Sequence, residues 1–499
     1  MGKTVALHNL GCKVNAYETE VMAKSLEEAG YTIVGFNEKA DVYIINTCSV
    51  TNIADRKSRQ MLHRAKKKNK DACVVAAGCY VQGAKEEIEK DGSVDIIVGN
   101  NKKSQIVDII NEYFAKLEDG SDNINENNND LINSPNHCQD YTIDINKTSE
   151  YEDMTLTDTG EKTRAYMKIQ DGCNQFCSYC IIPFVRGRIR SRSIESIVKE
   201  AEGLAERGYK EIVLTGIHIS SYGKDYQKIN ESVSSDDAES VLKDEEDYLV
   251  NDEDRIKNDG NELSLIDVVE AICSVDGIER LRLGSLEPRI ITDEFVKRLV
   301  AHKKVCPHFH LSLQSGCDET LSRMNRHYIC DDYRESVEIL RKYYDDPAIS
   351  TDVIVGFPGE TDEEFEKTEK FLSEIAFSKM HVFKYSRRKG TRADRMKDQV
   401  NDSIKQVRSE ALINLEAKMA HAYMENKIGK TEEILLEEVV SIDGKDYMTG
   451  YTSTYVKVAI ELNDGKVGSM DVNSANGSIV NVKIAGFIDD ELMLVDIIQ

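Results

Sequence analysis

Three successive patterns of apolar and polar positions divide the chain. Up to about Phe114, short apolar runs alternate with amphipathic segments. The runs TVALHNL, DVYIINT, ACVVAAG and VDIIVG predict strands, and segments between them such as NAYETEVMAKSLEEAG predict helices. Strands that alternate with helices are typical of a mostly parallel sheet covered on both faces. Residues 1–116 are therefore predicted to form an open parallel α/β domain.

From about Thr163 to Ala420, a strand followed by an amphipathic helix recurs six times. The predicted strands are AYMKIQ, EIVLTG, RLRLGS, HFHLSL, TDVIVGF and KMHVFKY. The predicted helix TDEEFEKTEKFLSEI begins with a capping box formed by Thr361 and Glu364. Six units predict a partial (β/α)6 barrel over residues 163–426, with its functional site at the carboxyl ends of the strands.

The last part of the chain, residues 427–499, has short alternating strands separated by Gly-rich turns: EEILLEE, TYVKVAI, SIVNVKIAG and LMLVDI. This pattern predicts a small antiparallel β-barrel. The predicted fold class is therefore α/β, with an open parallel domain, a central partial barrel and a small C-terminal β-barrel.

The formal net charge of −25 is unevenly distributed. Residues 117–162 hold 12 acidic and 2 basic side chains, and residues 224–262 hold 14 and 5. Both segments are poor in apolar residues, so we expect a solvated acidic linker and a solvated acidic insert that cannot bury enough surface to order. Residues 427–499 carry a net charge of −7. When the charges of these three segments are subtracted from −25, the rest of the chain has a net charge of +1. An anionic partner is therefore compatible with the folded centre.

Neither a membrane protein nor an exported one is predicted. The chain lacks an apolar run of ~18 residues, and its first residues do not have the pattern of a signal peptide. Twelve cysteines in such a chain favour a reducing compartment, where clustered thiols more often bind metal than form disulfides. We therefore expect a cytoplasmic protein without a membrane partner.

The segment GCNQFCSYC places Cys173, Cys177 and Cys180, called here the barrel cysteines, directly after the first barrel strand. A structural zinc site uses four ligands, whereas three thiolates on a four-iron cluster leave one iron open. The CxxxCxxC spacing, with Tyr179 before the last cysteine, resembles that of radical S-adenosylmethionine (SAM) enzymes. The alternatives are a zinc ribbon without its fourth ligand and a chance cluster.

Cys12, Cys48 and Cys79, called here the sheet cysteines, each follow one of the first three predicted strands. The carboxyl ends of parallel strands share one edge of a sheet, so these distant residues could converge on one site. The alternative is three unrelated buried cysteines. Cys73 begins a strand and is expected at the opposite edge as a packing thiol. The remaining cysteines show no ligand spacing and are predicted to be incidental or packing thiols: Cys138, Cys273, Cys306, Cys317 and Cys330.

Several segments together resemble the methylthiotransferase family of radical-SAM enzymes: LGCKVNAYE, INTCSVTNIADRKSRQ, AGCYVQ, GCNQFCSYCIIPFVRGRIRSR, LSLQSGCDETLSRMNRHY and DVIVGFPGETDEEF. The resemblance covers nearly the whole chain and implies that the C-terminal barrel is of the TRAM type. LGCKVN and NTCSVTNIADRKSRQ are most similar to the branch that modifies N6-threonylcarbamoyladenosine in tRNA.

This resemblance implies an enzyme that adds a methylthio group to carbon 2 of that adenosine. The barrel cysteines would hold a [4Fe–4S] cluster that binds SAM, and the sheet cysteines would hold a second [4Fe–4S] cluster that carries the sulfur. SAM would then act both as radical source and as methyl donor. A flavodoxin-like or ferredoxin-like protein would supply the electron.

Five residues lie in segments similar to those that line the SAM pocket in the family. They are predicted to bind the cofactor, although each could instead be only a turn residue: Tyr179, Gly216, Ser285, Glu287 and Gln314.

Two basic groups are candidates for contacts with tRNA. Four arginines alternate after Cys180, at Arg186, Arg188, Arg190 and Arg192, and eight basic residues occupy one predicted helix of the first domain. Clustered positive charge suits a phosphate backbone, although a charged helix is also typical of a solvated face. The predicted contacts are Arg186 and Arg188 in the first group, and Lys66, Lys67, Lys68 and Lys70 in the second. We expect the protein to act as a monomer.

Other hypotheses fit the same domain layout. Within the enzyme class, the substrate could be isopentenyladenosine in tRNA or an aspartate of a ribosomal protein, and the LGCKVN segment argues against both. Outside it, the chain could be an iron–sulfur electron carrier or an RNA-binding protein without catalytic activity. The two complete cysteine sets argue against that hypothesis.

Overall fold

The computed structural model describes residues 2–118, 138–156, 163–226, 263–462, 466–467, 470–471 and 475–498. No helix in these ranges is both long enough and apolar enough to cross a membrane.

The first part of the protein is a six-stranded sheet in which every neighbouring pair of strands is parallel. Its strands are β1 (Thr4–Asn9), β2 (Thr32–Ile33), β3 (Val42–Thr47), β4 (Cys73–Gly78), β5 (Ile96–Val98) and β6 (Gln139–Tyr141), in the spatial order β2–β1–β3–β4–β5–β6. Its helices are α1 (Lys13–Glu28), α2 (Asn52–Lys68), α3 (Cys79–Gly83), α4 (Lys85–Glu89) and α5 (Ile106–Glu118).

Helices cover both faces of this sheet. α1 and α5 pack on one face, and α2, α3 and α4 pack on the other. β3 and β4 are buried at every position, as expected for parallel strands between two helical layers. The predicted open parallel α/β domain is confirmed.

Part of the acidic segment 117–162 is ordered, contrary to the expectation of a solvated linker. Gln139–Tyr141 forms β6, which pairs in parallel with β5, and Ile145, Met154 and Leu156 are buried. These few apolar residues are too widely spaced to predict an element, and they are ordered by the existing edge of the sheet. The acidic insert at 224–262 lies outside the described residues except for 224–226.

The central part contains six parallel strands, as predicted. They are β7 (Arg164–Asp171), β9 (Glu211–Gly216), β10 (Arg280–Leu283), β11 (His308–His310), β12 (Ala348–Val355) and β13 (Lys379–Lys384). Two parallel bridges, Leu281 to Val305 and Leu286 to Leu311, connect the β10 region to the residues on either side of β11. The six strands therefore form one curved partial barrel. A short strand that was not predicted, β8 (Arg190–Ser191), pairs antiparallel with β7.

In the described residues, these strands are accompanied by the helices α6 (Ile182–Val185), α7 (Ile194–Glu206), α8 (Leu265–Cys273), α9 (Asp293–Val300), α10 (Asp318–Arg323), α11 (Cys330–Tyr343), α12 (Asp362–Ile375) and α13 (Asp402–Glu425). The predicted capping box is present at the start of α12, where the Thr361 hydroxyl accepts a hydrogen bond from Glu364 N.

The C-terminal part is a closed five-stranded barrel in the order β14–β15–β16–β20–β19. Its strands are β14 (Thr431–Ile442), β15 (Lys445–Thr452), β16 (Lys457–Glu461), β19 (Ile479–Phe487) and β20 (Met493–Ile497), and β17 (Lys466–Val467) pairs with β18 (Met470–Asp471) beside it. One contact, β16 to β20, is parallel, so the barrel is not purely antiparallel. β15 was not predicted, although Asp443-Gly444 has the left-handed backbone of a hairpin turn (φ 49° and 80°).

The small barrel lies against the amino ends of the partial-barrel strands. Arg164, the first residue of β7, pairs with Glu437 at 2.8 Å, and the Arg282 guanidinium of β10 donates to the Ser453 carbonyl oxygen at 3.0 Å. His308, the first residue of β11, lies against the Tyr455 ring with the ring centroids 5.0 Å apart. The acidic C-terminal barrel is thus at the opposite end of the strands from the predicted site.

Candidate active site

The barrel cysteines lie in the loop that follows β7, at its carboxyl end. Gly172 has a left-handed backbone (φ 71°), and a Cβ there would collide with the Arg188 carbonyl oxygen, so only glycine lets the loop pass. Cys173 N donates to the Gly187 carbonyl oxygen at 3.0 Å, which holds the loop against the arginine-rich stretch. Burial, together with the charge of the neighbouring Cys177, raises the pKa of the Cys173 thiol to about 12. A bound metal would provide the positive charge that this thiolate needs.

Arg326, which the sequence analysis did not select, contacts the barrel cysteines directly. Its guanidinium donates to Cys177 Sγ at 3.1 Å. Its neighbour Asn325 donates to the Phe176 carbonyl oxygen at 3.1 Å. Both residues belong to MNRHY, at the end of a segment that carries the family resemblance, so a search for cations in those segments would have found Arg326.

Among the predicted SAM residues, Glu287 is connected to the barrel cysteines. The Gln175 amide, between Cys173 and Cys177, donates to Glu287 Oε2 at 3.2 Å. His218 lies 3.5 Å and Arg289 2.8 Å from the same carboxylate. Burial raises the pKa of Glu287, but His218 and Arg289 outweigh burial and hold that pKa below its ordinary value. Glu287 is therefore a buried, ionised acceptor beside the cysteine loop.

The other predicted SAM residues are placed as follows. Gly216 ends β9 with no room for a side chain, because a Cβ there would lie 2.9 Å from the Gln170 carbonyl oxygen. Tyr179 packs edge-on against Phe357. Ser285 is exposed after β10. Gln314 has a left-handed backbone (φ 72°), and its backbone pairs with β12. Their roles in SAM binding remain predictions.

The sheet cysteines occupy the carboxyl edge of three adjacent strands. Cys12 precedes α1 after β1, Cys48 follows β3, and Cys79 begins α3 after β4. Cys48 and Gly11 are packed closely, since a Cβ on Gly11 would lie 2.7 Å from Cys48 Sγ. Burial raises the pKa of Cys48 to about 11, and the charges of Cys79 and Cys12 contribute to this rise. Part of the Cys12 residue is exposed to solvent. Its thiol is nevertheless surrounded by protein, and this desolvation raises the pKa of Cys12 as well.

Cys73 begins β4 at the other edge of the sheet and is buried in the core, as expected. Among the described residues, no three His, Cys, Asp or Glu side chains meet closely enough to hold a single metal ion. A four-iron cluster binds each thiolate on a separate iron atom and does not require the sulfurs to meet at one point.

Arg186 connects the two cysteine sets and does not reach the surface, so its predicted phosphate contact is wrong. Its side chain is 0% exposed. Its Nε donates to Cys79 Sγ at 3.2 Å, and its two terminal nitrogens donate to Glu18 at 2.9 and 3.1 Å. Further bonds go to Asp171 at 3.1 Å and to Asn15 at 2.7 Å. α6, between Cys180 and Arg186, also packs on α3, which starts at Cys79.

The charges around Arg186 form a buried group with an excess of positive charge. Its members are Arg186, Lys103, Lys168, Glu18 and Asp171, all at most 4% exposed. Lys168 pairs with Glu18 at 2.8 Å and with Asp171 at 2.6 Å, and Lys103 pairs with Glu18. Arg190, also buried and 3.8 Å from Asp171, is a fourth cation of this group. Four cations against two carboxylates leave an excess of positive charge beside Cys79, and buried charge requires a partner. A thiolate-bound cluster is anionic and fits this environment.

Two more of the alternating arginines are buried. Arg190 lies 3.8 Å from Asp171, and Arg192 pairs with Glu200 and, at 2.9 Å, with Asp153. The predicted phosphate contact at Arg188 is at most partial, because this half-buried side chain lies over the Phe176 ring at 4.4 Å. Three of the four alternating arginines, Arg186, Arg190 and Arg192, therefore form internal ion pairs.

The predicted lysine group is only partly available to RNA. Lys66 pairs with Asp95 at 2.9 Å, and Lys68 donates to the Asn37 carbonyl oxygen at 2.7 Å, whereas Lys67 and Lys70 are exposed. α2 begins beside Cys48 and has 17 residues, so its lysine-rich end is ~25 Å away, at the amino edge of the sheet.

Comparisons with known proteins agree with this architecture. Residues 4–99 match the uncharacterized protein family UPF0004, and residues 167–372 match the Radical SAM superfamily. The chain is 38% identical to the threonylcarbamoyladenosine tRNA methylthiotransferase MtaB of Bacillus subtilis (strain 168), over 99% of this chain and 97% of that protein. It is 33% identical to a tRNA-2-methylthio-N(6)-dimethylallyladenosine synthase of Pelotomaculum thermopropionicum, over 86% of this chain and 85% of that protein.

Among solved structures, the radical S-adenosylmethionine methyltransferase TsrM of Kitasatospora setae is similar with a TM-score of 0.47 and 15% identity, over 77% of this chain and 75% of that chain. The MtaB relative spans almost the full length of the chain, and the two cysteine-bearing regions each match a family description. The chain therefore belongs to the radical-SAM methylthiotransferase family of enzymes and is of the MtaB type.

Proposed function

We propose that the protein adds a methylthio group to carbon 2 of N6-threonylcarbamoyladenosine in tRNA, with two [4Fe–4S] clusters and SAM. The observation that carries the proposal is the pair of three-thiol sets at the carboxyl ends of two sheets, linked by the Arg186 bond to Cys79 and the packing of α6 on α3. The proposed substrate, N6-threonylcarbamoyladenosine in tRNA, is taken from the name of the MtaB relative.

The chemistry explains why side chains alone are insufficient. Carbon 2 of an adenine has an unreactive C–H bond that no side-chain base can ionise, so a cofactor must supply a radical. The radical-SAM family uses SAM and a [4Fe–4S] cluster for this purpose. The barrel cysteines would hold that cluster, and the sheet cysteines would hold the second.

The other side chains orient these groups. Arg326 donates to Cys177 Sγ, and Arg186 donates to Cys79 Sγ, so a guanidinium fixes the position of one sulfur in each cysteine set. Glu287 is ionised and presents an acceptor for the hydroxyl or amino groups of SAM.

The test uses anaerobically reconstituted protein with SAM, a reductant and tRNA that contains N6-threonylcarbamoyladenosine. Mass spectrometry of the digested nucleosides should detect the methylthio derivative, and Cys177→Ala should produce none. Iron-loaded wild type that cleaves SAM but leaves this nucleoside unchanged would contradict the proposed substrate. The modification should also disappear from tRNA of cells that lack the gene.

A second candidate substrate is N6-dimethylallyladenosine in tRNA, because a synthase named for it is 33% identical. The same reaction with tRNA that carries this nucleoside separates the two hypotheses. We expect turnover only with the threonylcarbamoyl form.

A further inference from the structure

A short basic segment lies at the carboxyl edge of the partial barrel, directly after β13. Residues 386–397, called here the basic loop, have the sequence SRRKGTRADRMK, with six Lys and Arg residues and one acidic residue, Asp394. Its net charge is +5, and the sequence analysis did not select it.

Both cysteine sites hold the basic loop in place. The Arg388 guanidinium, which is buried, donates to Ser49 Oγ at 2.7 Å and pairs with Asp55 at 2.6 Å. Ser49 directly follows Cys48. On the other side, Ala393 N donates to the Ser178 carbonyl oxygen at 2.7 Å, between Cys177 and Cys180. The loop therefore spans the two segments that carry the cysteines.

The remaining charges of the basic loop point to solvent. Lys389, Arg392, Arg395 and Lys397 are exposed, and Arg392 and Arg395 line an open pocket of ≈ 330 Å³ with Met396. Asp394 does not neutralise them, because its carboxylate pairs with Arg387 at 2.9 Å. Because the backbone of the loop is already anchored, RNA binding would not have to order it, and the exposed arginine side chains can donate to phosphates.

We propose that the basic loop binds backbone phosphates of the substrate RNA next to the nucleotide that is modified. The inference rests on the proposed function, since it requires an RNA substrate. The acidic C-terminal barrel lies at the other end of the strands, and the lysine-rich end of α2 lies at the far edge of the first sheet. The basic loop is thus placed where RNA must approach if its base is to reach the cysteine sites.

The test compares two double variants of the iron-loaded full chain. Arg392→Ala/Arg395→Ala removes two charges from the basic loop, and Lys67→Ala/Lys70→Ala removes two exposed charges at the end of α2. Filter binding of tRNA over a range of salt concentrations gives the slope of log K against log salt. The loop variant should bind more weakly, with the slope reduced by ~1.4 to 1.8, at ~0.7 to 0.9 per lost phosphate contact. The α2 variant should match wild type.

A loop variant with the wild-type slope and affinity would overturn the inference, as would equal losses in both variants, which indicate only unspecific attraction. Iron content and thermal melting check that each variant is folded. If wild type modifies tRNA while the loop variant binds it normally, the inference fails and the proposed function stands. If wild type neither binds nor modifies tRNA, the proposed function itself fails.

Discussion

Arg186 shows how one side chain can determine the geometry between two sites. Its guanidinium donates to Cys79, Glu18, Asp171 and Asn15, so its Nε and both of its terminal nitrogens are engaged. These partners come from the first sheet region and from β7, at the start of the barrel. A side chain with fewer donors or a different shape could not satisfy all of them at once.

We predict that Arg186→Gln destabilises the protein by about 1 to 3 kcal/mol, the usual cost of leaving buried hydrogen-bond acceptors unsatisfied, because Lys103 and Lys168 still pair with Glu18 and Asp171. The readout is urea unfolding of the cluster-free protein. Arg188→Gln is the matched control, because Arg188 is half-buried and its loss should have a much smaller effect. Arg186→Lys should recover part of the loss, since it keeps the charge but not the fork of donors. Equal unfolding midpoints for Arg186→Gln and Arg188→Gln would contradict this account.

Glu18 gives a prediction about pH. Burial raises the pKa of its carboxyl, but Arg186, Lys103 and Lys168 outweigh burial and hold that pKa well below its ordinary value. A carboxyl with a lowered pKa in the folded state contributes stability above the pKa of the unfolded chain, ~4.3, and loses it as the pH falls through the folded value. The contribution is therefore complete at pH 7 and declines only in acid below about pH 4.3.

Glu18→Gln should accordingly lower the melting temperature at pH 7, with a difference from wild type that narrows as the pH falls below ~4.3. Melting curves at several pH values test this. Glu28→Gln, on the exposed end of α1, is the control and should follow wild type throughout. A difference that does not change with pH would show that packing, and not ionisation, causes the effect.

At the scale of elements, the barrel insert illustrates how a long addition can leave a fold unchanged. The chain leaves the described structure after Tyr226 and re-enters it at Leu263. Its two ends are close together, because a Cβ on Gly223 would collide with the Leu263 carbonyl oxygen. A connection of a few residues could therefore replace the insert.

We predict that replacing residues 227–262 by about four Gly and Ser residues leaves iron content and SAM cleavage unchanged, since closing so short a gap costs little entropy. The contrasting deletion removes residues 138–156, which contribute β6 and the buried Ile145, Met154 and Leu156. That deletion should destabilise the first domain. Loss of iron from the shortened-insert variant would show that the insert is part of the fold.

At the scale of the whole molecule, the two cysteine sets predict the total metal content. Two [4Fe–4S] clusters correspond to ~8 iron atoms per chain. Replacing Cys173, Cys177 and Cys180 by Ala should halve the iron and abolish formation of 5′-deoxyadenosine from SAM. Replacing Cys12, Cys48 and Cys79 should halve the iron but preserve SAM cleavage. Full iron content in this second variant would rule out a cluster at the sheet cysteines, and Cys73→Ala is the control that should lose none.

The distribution of charge is also a property of the whole molecule. The chain has a formal net charge of −25, yet the basic loop places exposed positive charges beside the cysteine sites. The acidic small barrel contacts the first residues of β7 and β11, away from the cysteines. An acidic protein can in this way still present a local surface of positive potential.

The sequence by itself determined the order of the domains, most strands and the position of both cysteine sets at strand ends. These features depend on local periodicity and on the rule that parallel strands end at one edge. Only the tertiary structure decided which charged residues are internal, because their partners are remote in sequence. Arg186 and Glu18 are separated by 168 positions, and Arg388 and Ser49 by 339. No local pattern distinguishes an arginine that binds such a partner from one that faces solvent, so the buried arginines, β6 and the anchored basic loop emerged only from the packed fold.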